Sequence, residues 1–160
     1  MNANDGSGNV VERDEWKTSS WLFDILMEQY DFKLDCCATK DNSKVIDFPE
    51  DFLDLKEIDK TSWMNPPFSK AHVMFEHFFK IVKRGVAIYR CDNFETWIWQ
   101  KIIFPKADWI FIFDKRICYD GLEGKGSRFP SALIGFNIAE PKYLNGVILK
   151  VKGDDKFVFT

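Results

Sequence analysis

The tetrapeptide Asn65-Pro66-Pro67-Phe68 is the segment of this sequence whose residue types could do chemistry. A carboxamide oxygen and a neighbouring backbone carbonyl can together accept both hydrogens of an aryl amine, which directs the nitrogen lone pair towards an electrophile. Two consecutive prolines fix φ, keep the preceding residue extended and remove two amide donors, so the loop is stiff. Phe68 offers a ring face on which a base turned out of its helix could stack.

The sequence around this loop places it between a strand and a helix. It follows the apolar residues 62–64 and precedes Ser69, which could cap a helix. In open α/β sheets, ligands bind at the carboxyl ends of the strands. The structural alternative is a tight turn in which the asparagine caps the helix and the prolines stop the strand. We favour the catalytic interpretation because the loop combines a strand end with an adjacent aromatic ring.

The elements that would position the loop follow from hydrophobic periodicity. Apolar runs bounded by turn residues predict strands over 32–37, 45–48, 62–65, 85–90, 107–113, 132–138 and 147–151. Helical spacing predicts helices from Thr18 or Ser19 to just before Asp31, over 70–82 and over 93–103. The apolar stripe of the first of these includes Trp21, and that of the last includes Trp97. Because no helix is evident between 113 and 132, we expect an antiparallel far edge. The sequence therefore predicts an α/β fold with a mixed sheet of about seven strands and flanking helices.

Length and composition indicate one folded domain. The 160 residues include 16% aromatic residues, and residues 1–14 lack periodicity, so we predict a mobile leader followed by a single domain over 15–160. No apolar run approaches the roughly 20 residues needed to cross a bilayer, and the N-terminus lacks a signal core. We therefore expect a cytosolic protein with no membrane partner.

Cysteine and histidine spacing gives no indication of a metal site. The cysteines stand at positions 36, 37, 91 and 118, and the adjacent pair fits neither a loop-closing disulfide nor a CxxC site. We expect reduced, mostly buried thiols. His72 and His77 lie five apart on a predicted helix and do not share a face, so we assign no metal.

The charge distribution is uneven. The formal net charge is −3, which counts against tight non-specific nucleic-acid binding. The acidic excess lies in residues 1–60, whereas 101–128 is rich in Lys and Arg. A local basic patch and an ordinary solvated face both fit this pattern.

Beyond the loop itself, several motifs resemble the small phage-type DNA adenine methyltransferases, whose catalytic loop has the form Asp/Asn-Pro-Pro-aromatic. The likeness covers most of the chain, and its motifs are Trp16, Thr18, Leu22 and Phe23; Leu-Asp-x-Cys-Ala over 34–38 with Asn42; Trp-x-Asn-Pro-Pro-Phe over 63–68; Lys-Arg-Ile over 115–117; and Ser-Ala-x-x-x-Phe over 131–136. The resemblance implies a Rossmann-like class I methyltransferase. It also implies S-adenosylmethionine as cofactor, the exocyclic amine of a flipped-out adenine in double-stranded DNA as acceptor, and a host cytoplasm if a phage encodes the chain.

The resemblance also implies which residues bind the cofactor. Asp35, Cys37 and Ala38 fall on the turn that holds the methionine part in such enzymes, and a carboxylate there pairs with the α-ammonium. Thr18 stands where the family offers a hydroxyl to the α-carboxylate, although the proline expected next is replaced by Ser19.

Two further cofactor contacts are inferred from neighbouring strands. Asp47 is the nearest candidate for an acid that grips the ribose hydroxyls. Trp63 is a candidate for packing beside the adenine ring, with a buried core tryptophan as the alternative.

The loop over 114–130 is the candidate DNA-binding segment. It interleaves glycines with Lys115, Arg116, Lys125 and Arg128, which suits contact with phosphates. Only thirty residues separate Asp35 from Asn65, which leaves little room for crossover helices or an inserted recognition domain between those strands. A plain surface loop is the alternative interpretation.

Other functions remain open on the sequence alone. The same loop chemistry suits a cytosine amine, an RNA base or a glutamine amide as acceptor. A catalytically inactive descendant that binds nucleic acid or a host protein is the alternative of a different class.

Overall fold

The computed structural model describes residues 18–38, 43, 45, 47–117 and 129–150. Several sequence predictions fall outside these residues and are left untested by the structure: the leader over 1–14, Asn42, Cys118, Lys125, Arg128 and the end of the last strand at 151.

Six strands form one mixed sheet in the described part of the chain. They are β1 (Leu34–Asp35), β2 (Ser62–Met64), β3 (Gly85–Arg90), β4 (Trp109–Phe113), β5 (Ser131–Phe136) and β6 (Gly146–Lys150). Their order across the sheet is β1-β2-β3-β5-β4-β6. The first three strands are parallel, and β5 and β6 pair antiparallel to their neighbours. The antiparallel far edge is thus confirmed, and β4 runs in the same direction as β3.

Helix α1 (Ser20–Tyr30) covers one face of the sheet. Its most deeply buried residues recur at the three-to-four spacing of an amphipathic helix, and they are Leu22, Phe23, Leu26 and Tyr30. The helix ends where Asp31 takes a left-handed conformation at φ 52° and its N–H donates to the carbonyl of Met27 at 2.9 Å. Both predicted ends of this helix are confirmed, although the side chain of the N-cap Ser19 accepts no capping hydrogen bond.

Helix α2 (Ala71–Ile81) covers the opposite face, together with a π-helix over Ile98–Ile103 that continues into a single turn, α3 (Phe104–Lys106). The predicted start of α2 at Lys70, with Ser69 as its cap, is one residue early because Phe68–Lys70 forms a 3-10 turn first. The helix therefore begins beyond the prolines and their constrained backbone.

The helix predicted over 93–103 is wrong in its first five residues. The backbone N–H and the hydroxyl of Thr96 both donate to the carbonyl of Asn93, at 3.1 and 2.8 Å, which closes a turn before the helix begins at Ile98. Trp97, expected on the apolar stripe, precedes the helix and is 57% exposed.

The count of seven strands is also wrong for the residues that the structure describes. The missing strand is 45–48, whose described residues lie outside any strand. The N–H of Asp35 donates to the carbonyl of Asp47 at 3.1 Å, so Asp47 lies beside β1. Among the described residues of the β1–β2 connection, the only helical segment is a 3-10 turn, Phe52–Asp54.

Apolar side chains fill both faces of the sheet and divide the core in two. Trp63, Ile88 and Trp109 pack against α1, and Met64 and Ala87 lie in the cluster that α2 and the π-helix cover. Alternating directions along each strand explain the division.

Gly135 is needed in β5 because the ring of Trp109, its paired residue on β4, lies against the backbone of β5 at this position. A Cβ at that position would lie 1.9 Å from the Trp109 ring. This close approach fits the indole into the core, where its Nε1 donates to the carbonyl of Ile138 at 2.8 Å.

Candidate active site

The carboxyl ends of four strands meet at one edge of the sheet, which we call the carboxyl edge. β1 to β4 run in the same direction and end there at Asp35, Met64, Arg90 and Phe113. The antiparallel β5 begins at the same edge, because Ser131 pairs with Arg90. Every described residue in the predicted active site should therefore lie along this edge.

The Asn-Pro-Pro-Phe loop leaves the carboxyl edge directly after β2. Asn65 is partly buried, Pro66 is buried, and Pro67 is extended at φ −61° and ψ 135°. The carbonyl of Pro67 accepts the N–H of Lys70 at 3.1 Å, which closes the 3-10 turn ahead of α2. The strand-to-helix placement of this loop is confirmed, and its backbone is held by a strand on one side and a turn on the other.

Thr18 and Asn65 are in direct contact although they lie 47 residues apart. The Nδ2 of Asn65 donates to the Oγ1 of Thr18 at 3.2 Å, and Thr18 is only 2% exposed. Because the amide nitrogen faces Thr18, the Oδ1 of Asn65 points to the other side of the amide group. The contact brings a predicted catalytic residue and a predicted cofactor residue together.

Asp35 ends β1 on the strand next to β2. Its carboxylate is 4% exposed, and the N–H of the following Cys36 donates to the carbonyl of Trp63 at 2.9 Å. This ladder places Asp35 beside the strand that carries Asn65, and neighbouring strands lie about 4.8 Å apart. An acidic side chain at this strand end has the charge to bind a cationic ligand group.

Cys37 and Ala38 continue the turn after β1 and are both partly buried. Burial raises the pKa of the Cys37 thiol, and the nearby Asp35 raises it further. The thiol therefore stays protonated at neutral pH, so this turn carries one negative group, Asp35, beside small uncharged side chains. The three described cysteines are free thiols.

Asp47 lies next to Asp35 through the backbone hydrogen bond between the two residues. Its side chain is 48% exposed and forms an ion pair with Lys60. Exposure leaves it accessible from solvent at the outer side of β1. Lys60 would therefore compete with any ligand hydroxyl for the Asp47 carboxylate.

Trp63 is 1% exposed and lies in the core beneath α1. Its ring centroid is 5.5 Å from that of Phe23 and 5.6 Å from that of Phe32. This position is that of the buried core tryptophan, which the sequence left open as the alternative to a cofactor contact.

Phe68 lies in an aromatic cluster at the carboxyl edge. Its ring meets that of Phe129 nearly at right angles, with centroids 5.3 Å apart, and lies 6.2 Å from Tyr89. Phe129 is buried, whereas Phe68 is only partly buried. Phe129 and Tyr89 therefore hold the Phe68 ring in place, and part of this ring remains at the surface.

Arg90 is a neighbour of the loop that the sequence did not identify. The carbon at the centre of its guanidinium lies 4.7 Å from the centroid of the Phe129 ring, and its Nε and Nη2 donate to the two carboxylate oxygens of Asp92 at 2.8 and 2.6 Å. These hydrogen bonds lower the pKa of Asp92. The sequence feature that could have indicated this site is an arginine at the end of an apolar strand, followed two residues later by an acidic residue.

Residues 7–127 match the family model described as DNA N-6-adenine-methyltransferase (Dam). The chain belongs to this family. The matched residues include Thr18, Asp35 and the Asn-Pro-Pro-Phe loop, which are the groups that the fold gathers at the carboxyl edge. No curated protein and no solved structure matches the chain.

The Dam family acts on DNA, so cationic and aromatic groups at the carboxyl edge are of interest. Lys115 and Arg116 follow β4 at this edge and are both exposed. The Nζ of Lys115 lies 5.9 Å from the centroid of the Trp21 ring, and Trp21 is 46% exposed. Sequence periodicity wrongly placed Trp21 on the buried stripe of α1.

The candidate DNA-binding segment also starts and ends at the carboxyl edge. The described chain before the gap ends at Ile117, which is 1% exposed, and it resumes at Phe129, which is 2% exposed and contacts Phe68. Lys125 and Arg128 lie between these two anchors, outside the described residues. The C-terminal flank of the segment, Phe129, therefore lies beside the catalytic loop.

The described residues contain neither a cluster of metal-binding side chains nor a membrane-spanning helix. They contain no group of three or more His, Cys, Asp or Glu side chains that could hold a metal ion. None of the helices in this part of the chain is long and apolar enough to span a membrane.

Proposed function

We propose that this Dam-family chain transfers a methyl group from S-adenosylmethionine to the N6 amine of adenine in double-stranded DNA. The catalytic loop in this proposal is Asn65, Pro66, Pro67 and Phe68. The supporting observation is the hydrogen bond between Asn65 and Thr18, which joins the loop to the N-terminal motif. Two regions that are remote in sequence therefore meet where the methyl donor and the acceptor amine would have to meet.

The residues at the end of β1 suit the methionine part of the cofactor. Asp35 is a buried carboxylate for the α-ammonium, and Thr18 is a hydroxyl for the α-carboxylate. Cys37 and Ala38 add small, uncharged surface, and Asp47 is an exposed carboxylate for the ribose hydroxyls. For Trp63, packing between Phe23 and Phe32 favours the core role.

The chain's part in the reaction is mainly positioning. The Oδ1 of Asn65 and the carbonyl of Pro66 accept the two amine hydrogens and hold the nitrogen lone pair out of the ring plane. When bound, S-adenosylmethionine supplies a sulfonium methyl group: the new N–C bond forms as the S–C bond breaks, a neutral thioether leaves, and the amine then releases a proton to solvent. Acceptor oxygens stabilise the positive charge that develops on the amine.

Phe68 gives the flipped adenine a surface to stack on. The ring is held by Phe129 and Tyr89, so it does not have to be ordered when the base arrives. Base-to-aromatic stacking contributes about 1–3 kcal/mol, which offsets part of the stacking lost on flipping.

The DNA backbone is proposed to cross the carboxyl edge near Lys115 and Arg116, with Lys125 and Arg128 from the adjoining segment. Trp21 adds an exposed ring beside Lys115, a combination that suits a sugar or a base next to a phosphate.

We expect Lys115→Ala to weaken DNA binding several-fold and to lower the slope of log Kd against log salt by about 1, because one phosphate contact is lost. Fluorescence anisotropy with a labelled duplex at several salt concentrations measures this. The matched control is Lys106→Ala, since Lys106 is exposed but precedes β4 at the opposite edge. Equal slopes for Lys115→Ala and the unaltered chain would remove Lys115 from the DNA surface.

The proposed function is tested by calorimetric titration with S-adenosylmethionine, followed by transfer of labelled methyl groups to unmethylated duplex DNA. Nuclease digestion should recover the label as N6-methyladenine, and DNA already methylated on adenine should accept none. Label on cytosine or on RNA would redirect the acceptor. Absence of binding at millimolar cofactor would contradict the enzyme assignment and favour an inactive, binding descendant.

A further inference from the structure

We infer that Thr18 is a positioning residue that sets the orientation of the Asn65 amide, so that one hydroxyl serves both halves of the site. The inference rests on the proposed function for the role of Asn65. Its structural basis is independent: the Nδ2 of Asn65 donates to the Oγ1 of Thr18 at 3.2 Å, across two regions of the chain.

The orientation of the Asn65 amide matters because its two ends have opposite polarity. The terminal torsion of an asparagine is broad and roughly two-fold, so the amide has two competing orientations. In one orientation the oxygen accepts from an amine. In the other, the NH₂ group of Asn65 faces the NH₂ group of the substrate, donor against donor. An acceptor on the nitrogen side selects the productive orientation.

Thr18 is suited to this task by its burial and stiffness. It is 2% exposed, so water does not readily replace its hydroxyl as the partner of Asn65. Its branched Cβ restricts χ1, and the backbone just beyond it is fixed because the carbonyl of Ser19 accepts the N–H of Phe23 at 3.0 Å. The hydroxyl is therefore held in place by the start of α1.

Accepting a hydrogen bond leaves the proton of the Thr18 hydroxyl for another acceptor. A threonine hydroxyl carries one donor and two lone pairs, so it can accept from Asn65 and donate to a carboxylate at the same time. Hydrogen bonds in such a chain polarise one another. A carboxylate bound to Thr18 would strengthen its hold on Asn65, so the amide would be best oriented when the cofactor is present.

The test compares Thr18→Val, which keeps the shape and removes the hydroxyl, with Thr18→Ser, which keeps the hydroxyl. At saturating S-adenosylmethionine and DNA, Thr18→Val should lower kcat roughly 10- to 100-fold, because the reacting amine is misplaced. Thr18→Ser should stay within a few-fold of the unaltered chain. Ser19→Ala is the control, since Ser19 is equally buried and makes no side-chain cap to α1.

A second readout does not depend on turnover. The side-chain NH₂ signals of Asn65, assigned in ¹⁵N-labelled protein by their loss in Asn65→Asp, should shift in Thr18→Val without cofactor and be preserved in Thr18→Ser and Ser19→Ala. Unaltered signals and kcat in a folded Thr18→Val would overturn the inference. A raised cofactor Kd with normal kcat at saturation would also overturn it, since that result describes a cofactor anchor alone. If the unaltered chain methylates no DNA, the proposed function fails, and the NH₂ signals still decide whether Thr18 orients Asn65.

Discussion

Asn65→Ala is expected to lower kcat by about 1000-fold while leaving the Kd for S-adenosylmethionine within about twofold. The side chain removed supplies one of the two oxygens that accept from the amine, and losing a single preorganised hydrogen-bonding group at a reacting centre costs about 100- to 1000-fold. The cofactor is proposed to bind at the end of β1 rather than at Asn65, so its affinity is retained. Steady-state kinetics at saturating substrates and calorimetry measure the two quantities.

The replacement Asn65→Asp serves as the matched control for this prediction. It keeps an acceptor oxygen of the same size and is a residue that the loop pattern of the resembled enzymes allows. It loses the donation to Thr18, which is the interaction that fixes the amide. We expect activity between that of Asn65→Ala and that of the unaltered chain. A value of kcat for Asn65→Ala within threefold of the unaltered chain would contradict the catalytic assignment.

The placement of the loop could be predicted because its causes are local. Pro66 and Pro67 stop a strand wherever they occur, and the apolar residues before them and the helical spacing after them are visible in the sequence. The direct contact between Asn65 and Thr18 could not be predicted from these signals. It depends on α1 packing with its N-terminus at the end of β2, which is set by sheet order and tertiary packing.

The predicted elements were wrong in two places. The 93–103 helix begins late because Thr96 bonds back to Asn93, a local competitor that apolar periodicity does not register. Residues 45–48 have the apolar pattern of a strand, but those that the structure describes lie outside any strand. Asp47 contacts β1 through a backbone hydrogen bond to Asp35.

Residues that support the loop from other strands were also missed. Arg90 and Phe129 come together because the antiparallel register of β3 and β5 aligns the end of one strand with the start of the other. Nothing in the spacing of these two residues along the chain indicates that contact.

Asp35→Asn is expected to raise the Kd for S-adenosylmethionine by about 100-fold. The carboxylate is 4% exposed, and removing one partner from a buried charge pair costs about 2–5 kcal/mol, or tenfold for each 1.4 kcal/mol. Asparagine keeps the shape of the side chain, so the loss would be one of charge. Calorimetry measures the Kd, and thermal unfolding establishes that the variant is folded.

Asp24→Asn makes the same charge change at an exposed position on α1 and should leave the Kd unchanged. Asp47→Asn should have a smaller effect than Asp35→Asn, because Asp47 is half exposed and already paired with Lys60. A folded Asp35→Asn variant that binds the cofactor normally would remove Asp35 from the cofactor site. At cofactor concentrations well above its raised Kd, Asp35→Asn should recover most of its kcat, since the loop that holds the amine is intact. Asn65→Ala should not recover at any cofactor concentration, so the pair separates the donor half of the site from the acceptor half.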